Sequence, residues 1–89
     1  MSQIILYTKH YCPHCKAAKL TLKNMGLAYQ EIDVSDSPSL FNEMTKRSQR
    51  KTVPQIFVGT QHIGGNQDLN ASIHNGHFEQ VLTREGINR

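Results

Sequence analysis

Two cysteines, three positions apart, are the residues of this chain best suited to chemistry. They lie in the segment Cys12-Pro13-His14-Cys15, and the 89 residues contain no other cysteine. Thiols at this spacing can form a redox-active disulfide or contribute to a metal site. A single pair does not provide the dense disulfide framework on which small secreted domains depend.

The elements predicted around the pair favour redox chemistry. Residues 4–7 form an apolar run that predicts a buried strand, and residues 12–25 have apolar side chains at helical spacing. The cysteines therefore lie at the start of a helix, where free N–H groups and the helix dipole favour a thiolate. Pro13 suits the first turn, which needs no N–H donor from it. We expect Cys12 to be the exposed nucleophile and Cys15 to lie on the inward face of the helix.

The rest of the pattern predicts an α/β fold with a mixed four-stranded sheet flanked by helices. Further strands are expected at residues 27–34, 55–58 and 62–63, and further helices at 37–48, 68–74 and 78–84. A βαβ unit makes the first two strands parallel, and the later hairpin adds antiparallel strands. We expect a single domain over residues 1–89, because a chain of this length has too little core for two.

Other interpretations of the cysteine pair are weaker. A structural disulfide would close a loop too small to contribute much stability. A zinc site could use Cys12, Cys15 and some of His10, His14 and His62, but the chain has no second C-x-x-C pair to complete it. Two inert buried cysteines are a further alternative, which a proline between them at a helix start disfavours. We therefore expect no metal.

Charge and hydropathy limit the possible partners. The formal net charge is +3, concentrated in residues 46–51 and in the lysines near the cysteines. Neither group has the interleaved aromatic side chains of single-strand binders, so no nucleic acid is expected. No apolar run approaches the ~20 residues of a membrane span, and the first residues lack a basic leader. The prediction is a cytoplasmic protein that contacts no membrane.

Three segments together resemble the signature of the dithiol glutaredoxins. They are residues 7–15, Thr52-Val53-Pro54 and residues 64–69, Gly-Gly-Asn-Gln-Asp-Leu, in the family's order and spacing. The resemblance covers nearly the whole chain and is strongest to the short bacterial glutaredoxin 3 group. It implies the minimal thioredoxin fold with strand order 2-1-3-4. It also implies a glutathione-dependent thiol–disulfide oxidoreductase that reduces protein–glutathione mixed disulfides and protein disulfides.

The resemblance implies a glutathione site beside Cys12. Its residues are Lys9, His14, Thr52, Val53, Pro54, Gly65, Asn66, Gln67 and Asp68.

Within this implied site, each part of the tripeptide has its own contacts. A cis peptide before Pro54 leaves the backbone of Val53 free to pair with the cysteinyl part. Asn66 and Gln67 hold the γ-glutamyl carboxylate and Asp68 the ammonium, although Asp68 could equally be a helix cap. Lys9 meets the glycyl carboxylate.

Two residues depart from the family pattern. Gln67 stands where the family usually has Asp, Ser or Thr, and its longer side chain is a poorer helix cap. His14 stands where tyrosine usually flanks glutathione. We expect His14 to stabilise the Cys12 thiolate and to make the pair more oxidising, because stabilising the reduced form raises the potential.

The implied mechanism uses glutathione as co-substrate. Cys12 attacks a mixed disulfide and is regenerated by a second glutathione, whereas Cys15 resolves the intermediate formed with a protein disulfide. The expected partners are glutathionylated proteins and disulfide substrates such as ribonucleotide reductase, and the chain is expected to be a monomer. The alternatives are a thioredoxin-like reductant served by a reductase, and an iron–sulfur cluster carrier.

Overall fold

The chain runs through a strand, a helix and a second strand, then a helix, a β-hairpin and two further helices. A computed structural model describes residues 3–87. The elements are β1 (Ile4–Thr8), α1 (Pro13–Asn24), β2 (Gln30–Asp33), α2 (Pro38–Ser48), β3 (Gln55–Val58), β4 (Gln61–Gly64), α3 (Asn66–His74) and α4 (His77–Arg84). No helix within residues 3–87 combines the length and the apolar character needed to cross a membrane.

The strands form a mixed sheet whose order, β2-β1-β3-β4, confirms the expected 2-1-3-4 arrangement. β1 and β2 are parallel, with Leu6 opposite Glu31. β3 is antiparallel to both β1 and β4. All four residues of β3 are buried, whereas β2 is largely exposed because it lies at the edge of the sheet.

Apolar side chains cover both faces of the sheet, because successive residues of a strand point to opposite sides. On one face, Leu6 and Ile56 pack against α1, α3 and α4 in a cluster that includes Leu22 and Leu69. On the other face, a smaller cluster contains Tyr7, Val34, Met44 and Phe57. The larger cluster fixes α1 against the sheet and so determines where the cysteines lie.

Several element boundaries differ from those expected. β2 is shorter than residues 27–34, because the N–H of Leu27 bonds the carbonyl of Leu22 at 3.0 Å and so completes the end of α1. α3 begins at Asn66 and not at residue 68, because the carboxylate of Asp68 accepts the N–H of Gly65 at 2.9 Å and caps the helix from its third position. β4 covers residues 61–64, and α1 and α4 begin at residues 13 and 77.

Candidate active site

Cys12 is the residue that caps the start of α1. Its backbone is extended (φ −107°, ψ 103°), and its Sγ accepts the N–H of Cys15 at 3.2 Å. Pro13 occupies the first turn, which contains no acidic residue. The thiol therefore lies where free N–H groups and the helix dipole stabilise negative charge, as the sequence predicted.

The residue before the nucleophile turns the chain sharply from β1 into α1. Tyr11 has a φ of 54°, in the left-handed region, and its side chain is fully exposed. This turn brings Cys12 to the surface. Cys12 itself is partly exposed and not as open as expected, since its Sγ lies 4.0 Å from the carbonyl oxygen of Val53.

Cys15 is buried and confirms the predicted asymmetry of the pair. It is only 2% exposed, on the same face of α1 as Ala18 and Leu22. Burial is the main cause that raises the pKa of Cys15 to about 12, and its hydrogen bond with Cys12 acts in the same direction. Cys15 is therefore a thiol at neutral pH.

The loop opposite Cys12 is held by a buried amide. The Val53–Pro54 peptide is cis, as the resemblance implied. The side chain of Gln55 donates to the carbonyl and the hydroxyl oxygens of Thr52, at 3.0 and 3.2 Å, and its Oε1 lies 2.7 Å from His62 Nε2. Sequence reasoning missed Gln55 and His62 as supports of this loop, because a polar residue at a strand start gives no sign of what it contacts.

A cleft of about 240 Å³ opens next to this loop, and we call it the Asp68 cleft. It brings together all the predicted glutathione-site residues except Lys9, together with Arg50. Its lining consists of His14, Arg50, Thr52, Val53, Pro54, Gly65, Asn66, Gln67 and Asp68.

An ion pair spans the Asp68 cleft. Arg50 Nη1 lies 2.7 Å from Asp68 Oδ2, the oxygen that also accepts the N–H of Gly65. The guanidinium, and then this N–H, lower the pKa of Asp68 below its ordinary value. Nearby, the Oδ1 of Asn66 is buried without a hydrogen-bond partner. Sequence reasoning missed Arg50, whose only signal was its place in the basic run just before Thr52.

A second cleft, of about 630 Å³, has Cys12 in its lining, and we call it the Lys19 cleft. Its lining is Lys9, His10, Tyr11, Cys12, Pro13, Cys15, Lys16, Lys19, Glu31 and Asp33. The ammonium of Lys9 lies 4.8 Å from the ring centroid of Phe41. Lys9 and Asp68 thus line different clefts, and Cys12 of the Lys19 cleft lies close to Val53 of the Asp68 cleft.

Two of the histidines considered as zinc ligands have other partners. His10 Nε2 faces the carboxylates of Asp33 and Asp36 at 3.7 and 3.4 Å, and His62 bonds Gln55. Within residues 3–87, no three His, Cys, Asp or Glu side chains gather as metal ligands.

The fold and the paired cysteines match known proteins. The glutaredoxin family model matches residues 4–63. Glutaredoxin 3 of Escherichia coli K12 is 43% identical over 82 residues, which cover 92% of this chain and 99% of the relative. The chain belongs to the glutaredoxin family. Glutaredoxins are thiol–disulfide oxidoreductases, and Cys12 and Cys15 form the redox pair of this member.

Solved glutaredoxin structures have the same architecture. A glutaredoxin from Brucella melitensis has a TM-score of 0.79 and is 41% identical, covering 98% of this chain and 94% of its own. A buckwheat glutaredoxin in complex with glutathione has a TM-score of 0.85 at 25% identity, covering 98% of this chain and 83% of its own. The glutaredoxin fold therefore extends beyond the segment that the family model matches.

Proposed function

We propose that this glutaredoxin binds glutathione across its two clefts and reduces glutathione mixed disulfides at Cys12. The observation that carries the proposal is the position of Cys12, which caps the start of α1, lines the Lys19 cleft and lies beside the Val53 carbonyl of the Asp68 cleft. The complex of a similar buckwheat protein with glutathione supports this choice of ligand.

The Asp68 cleft suits the γ-glutamyl end of the tripeptide. Its carboxylate takes the free N–H groups at the start of α3, at Asn66 and Gln67, together with the guanidinium of Arg50. Its ammonium pairs with Asp68. The buried Oδ1 of Asn66 offers a further acceptor to the ligand.

The centre and the glycyl end of glutathione then reach towards the Lys19 cleft. The backbone of Val53 pairs with the cysteinyl residue, next to Thr52 and Pro54, and places the ligand sulfur at Cys12. The ammonium of Lys9 binds the glycyl carboxylate. His14 flanks the ligand from the exposed first turn of α1.

The chemistry is two successive thiol–disulfide exchanges. The Cys12 thiolate attacks the glutathione sulfur of a mixed disulfide, and the other thiol leaves. A second glutathione then attacks the Cys12–glutathione disulfide and leaves as oxidised glutathione. With a protein disulfide, Cys15 attacks the Cys12–substrate bond, which leaves a Cys12–Cys15 disulfide that glutathione reduces.

Two single substitutions test this division of labour. Cys12→Ser should abolish turnover of a glutathione mixed disulfide supplied with glutathione, glutathione reductase and NADPH, because the nucleophile is lost. Cys15→Ser should retain that turnover but lose the reduction of protein disulfides. Loss of both activities in Cys15→Ser would contradict the proposal, as would equal turnover with thioredoxin reductase in place of glutathione and its reductase.

The proposal extends to the oligomeric state, location and acceptors of the protein. We propose a monomeric cytoplasmic protein of one domain, whose acceptors are glutathionylated proteins and disulfide enzymes such as ribonucleotide reductase. Reduction of purified ribonucleotide reductase by the wild type, but not by Cys15→Ser, is the expected result.

A further inference from the structure

A chain of polar contacts lies beside the buried thiol of Cys15. The hydroxyl of Thr8 donates to Glu31 Oε2 at 2.7 Å, and Lys19 Nζ lies 3.1 Å from the same oxygen. Thr8 is fully buried, whereas Lys19 and Glu31 are about one third exposed. Glu31 is thus fixed by a buried hydroxyl, and it holds the ammonium of Lys19 at the cleft.

Lys19 lies one helical turn after Cys15. Residues four apart share a face of a helix, with Cβ atoms ~5–6 Å apart. Both side chains line the Lys19 cleft together with Glu31. The two groups are close enough to act electrostatically on each other.

The resolving step needs such a cation. Cys15 reacts as a thiolate, yet its burial on the inward face of α1 opposes ionisation and raises the pKa of Cys15. The charge of Lys19 opposes that effect, and its hydrogen bond to Glu31 raises the pKa of Lys19 itself, so the charge persists.

We propose that Lys19, held in place by Glu31, stabilises the Cys15 thiolate and so sets the rate at which the Cys12–Cys15 disulfide forms. The inference rests on the proposed function of Cys15 as the resolving residue. Loss of the Lys19 charge should therefore slow the reduction of protein disulfides and leave the reduction of glutathione mixed disulfides unchanged, because exchange at Cys12 alone does not use the Cys15 thiolate.

Closure of the Cys12–Cys15 disulfide releases the substrate as a thiol. The Cys15 thiol releases its proton to water in the cleft, and its sulfur attacks the sulfur of Cys12. The bond between Cys12 and the substrate sulfur breaks as the Cys12–Cys15 bond forms. Cys15 is oxidised, and the substrate sulfur is reduced and leaves as a thiolate that takes a proton from solvent.

Other titratable groups also face this cleft, and they are less suited to the role. They are Lys9, His10, Tyr11, Cys12, Lys16 and Asp33.

The two other lysines of the cleft are placed differently from Lys19. The ammonium of Lys9 lies over the ring of Phe41, although its backbone N–H lowers the pKa of Cys15. Lys16 follows Cys15 directly, so it points to another face of α1. Tyr29 also acts electrostatically on Lys19. Lys19, in contrast, pairs with a carboxylate, and that carboxylate is fixed by a buried hydroxyl.

The two steps can be followed separately by rapid mixing of the full chain with an aromatic disulfide. The thiolate released from this disulfide absorbs visible light. The first phase reports attack by Cys12 and the second reports closure by Cys15, so Cys15→Ser should show the first phase only. In Lys19→Gln the second phase should slow about tenfold and its pH profile should move about one unit higher, because one charge near the thiolate is lost. Lys19→Arg should restore closure to within about threefold.

Two further variants test whether the effect on closure is specific to the Lys19–Glu31 pair. Lys23→Gln, an exposed lysine one turn further along α1 and outside the cleft, should behave as the wild type. Glu31→Gln, which loses the charge that holds Lys19, should also slow the second phase. Unchanged closure and an unchanged pH profile in both Lys19→Gln and Glu31→Gln would overturn the inference. Absence of the first phase in the wild type would instead contradict the proposed function.

Discussion

Asp68 is the acidic side chain on which ligand recognition depends in the proposed site. One of its oxygens accepts hydrogen bonds from both the Arg50 guanidinium and the N–H of Gly65. These contacts keep it ionised at pH values where a free aspartate would begin to protonate, since they lower its pKa below the ordinary 3.8. In the proposed complex, the negative charge opposite the ligand ammonium therefore persists to lower pH than that of a free aspartate.

Asp68→Asn should raise the KM for a glutathione mixed disulfide by roughly tenfold, because a charge-assisted contact becomes neutral. In the wild type the Asp68 contribution should persist to lower pH than that of an ordinary aspartate and be lost as the carboxylate is protonated, since the pKa of Asp68 is lowered. Steady-state kinetics as a function of pH checks both statements. Asp36→Asn, a change at an exposed carboxylate outside the Asp68 cleft, is the control and should leave the KM unaltered.

His14 tests how the motif between the cysteines sets the redox potential. It is exposed in the first turn of α1 and lines the Asp68 cleft. His14→Tyr should make the potential more negative, because the hypothesis is that His14 stabilises the reduced, thiolate form of Cys12. Equilibration with glutathione redox buffers measures the change, with His74→Tyr at the exposed end of α3 as control. An equal or higher potential in His14→Tyr would contradict the hypothesis.

At the scale of elements, α1 depends on one buried stripe to present the cysteines. Leu22 is fully buried in the larger apolar cluster, whereas Leu20 on the same helix is 57% exposed. Leu22→Ala should lower the free energy of unfolding by about 2–5 kcal/mol, through lost burial and the cavity left behind. Leu20→Ala should change it by less than about 0.5 kcal/mol. Urea unfolding compares the pair, and equal losses would show that α1 is not held by this stripe.

Local sequence patterns predicted which segments form helices and strands, but they did not predict every residue at which these elements begin or end. Ser37 and Pro38 predicted the start of α2 correctly, because capping and a fixed φ act within a few residues, and Ser37 Oγ accepts the N–H of Leu40 at 3.2 Å. The start of α3 was wrong by two residues. There the cap comes from Asp68, a side chain inside the helix that reaches back to Gly65.

At the scale of the whole molecule, alkaline pH should destabilise the fold. Burial raises the pKa of the Cys15 thiol and that of the Tyr7 hydroxyl. The contribution of Cys15 is fully present below the ordinary thiol value of 9.0 and is lost as the pH rises towards about 12, since the unfolded chain ionises first.

The unfolding free energy of the reduced wild type should therefore fall between pH 8 and about 10.5. In Cys15→Ala the fall should be smaller, with the remaining part due to groups such as Tyr7. Urea titrations at both pH values measure the difference. Parallel declines in the two proteins would show that Cys15 does not carry the effect.

The whole-molecule order of strands was predictable, whereas the long-range side-chain contacts were not. The handedness of the βαβ unit and the later hairpin limited which strands could be parallel or antiparallel. The resemblance to glutaredoxins then supplied the complete strand order. The Arg50–Asp68 pair joins residues 18 positions apart, and its formation depends on how α3 lies against the loop before β3. Nothing in the local sequence of Arg50 distinguishes it from Lys51, so its place opposite Asp68 required the structure.

That pair has a consequence for how the Asp68 cleft responds to salt. Arg50 and Asp68 neutralise each other, and in the proposed complex the γ-glutamyl group of glutathione brings one charge of each sign. Ligand entry is thus an exchange of partners that leaves the net charge of the cleft unchanged. Added electrolyte screens the internal pair and the two new ones alike, so affinity at this end depends only weakly on ionic strength.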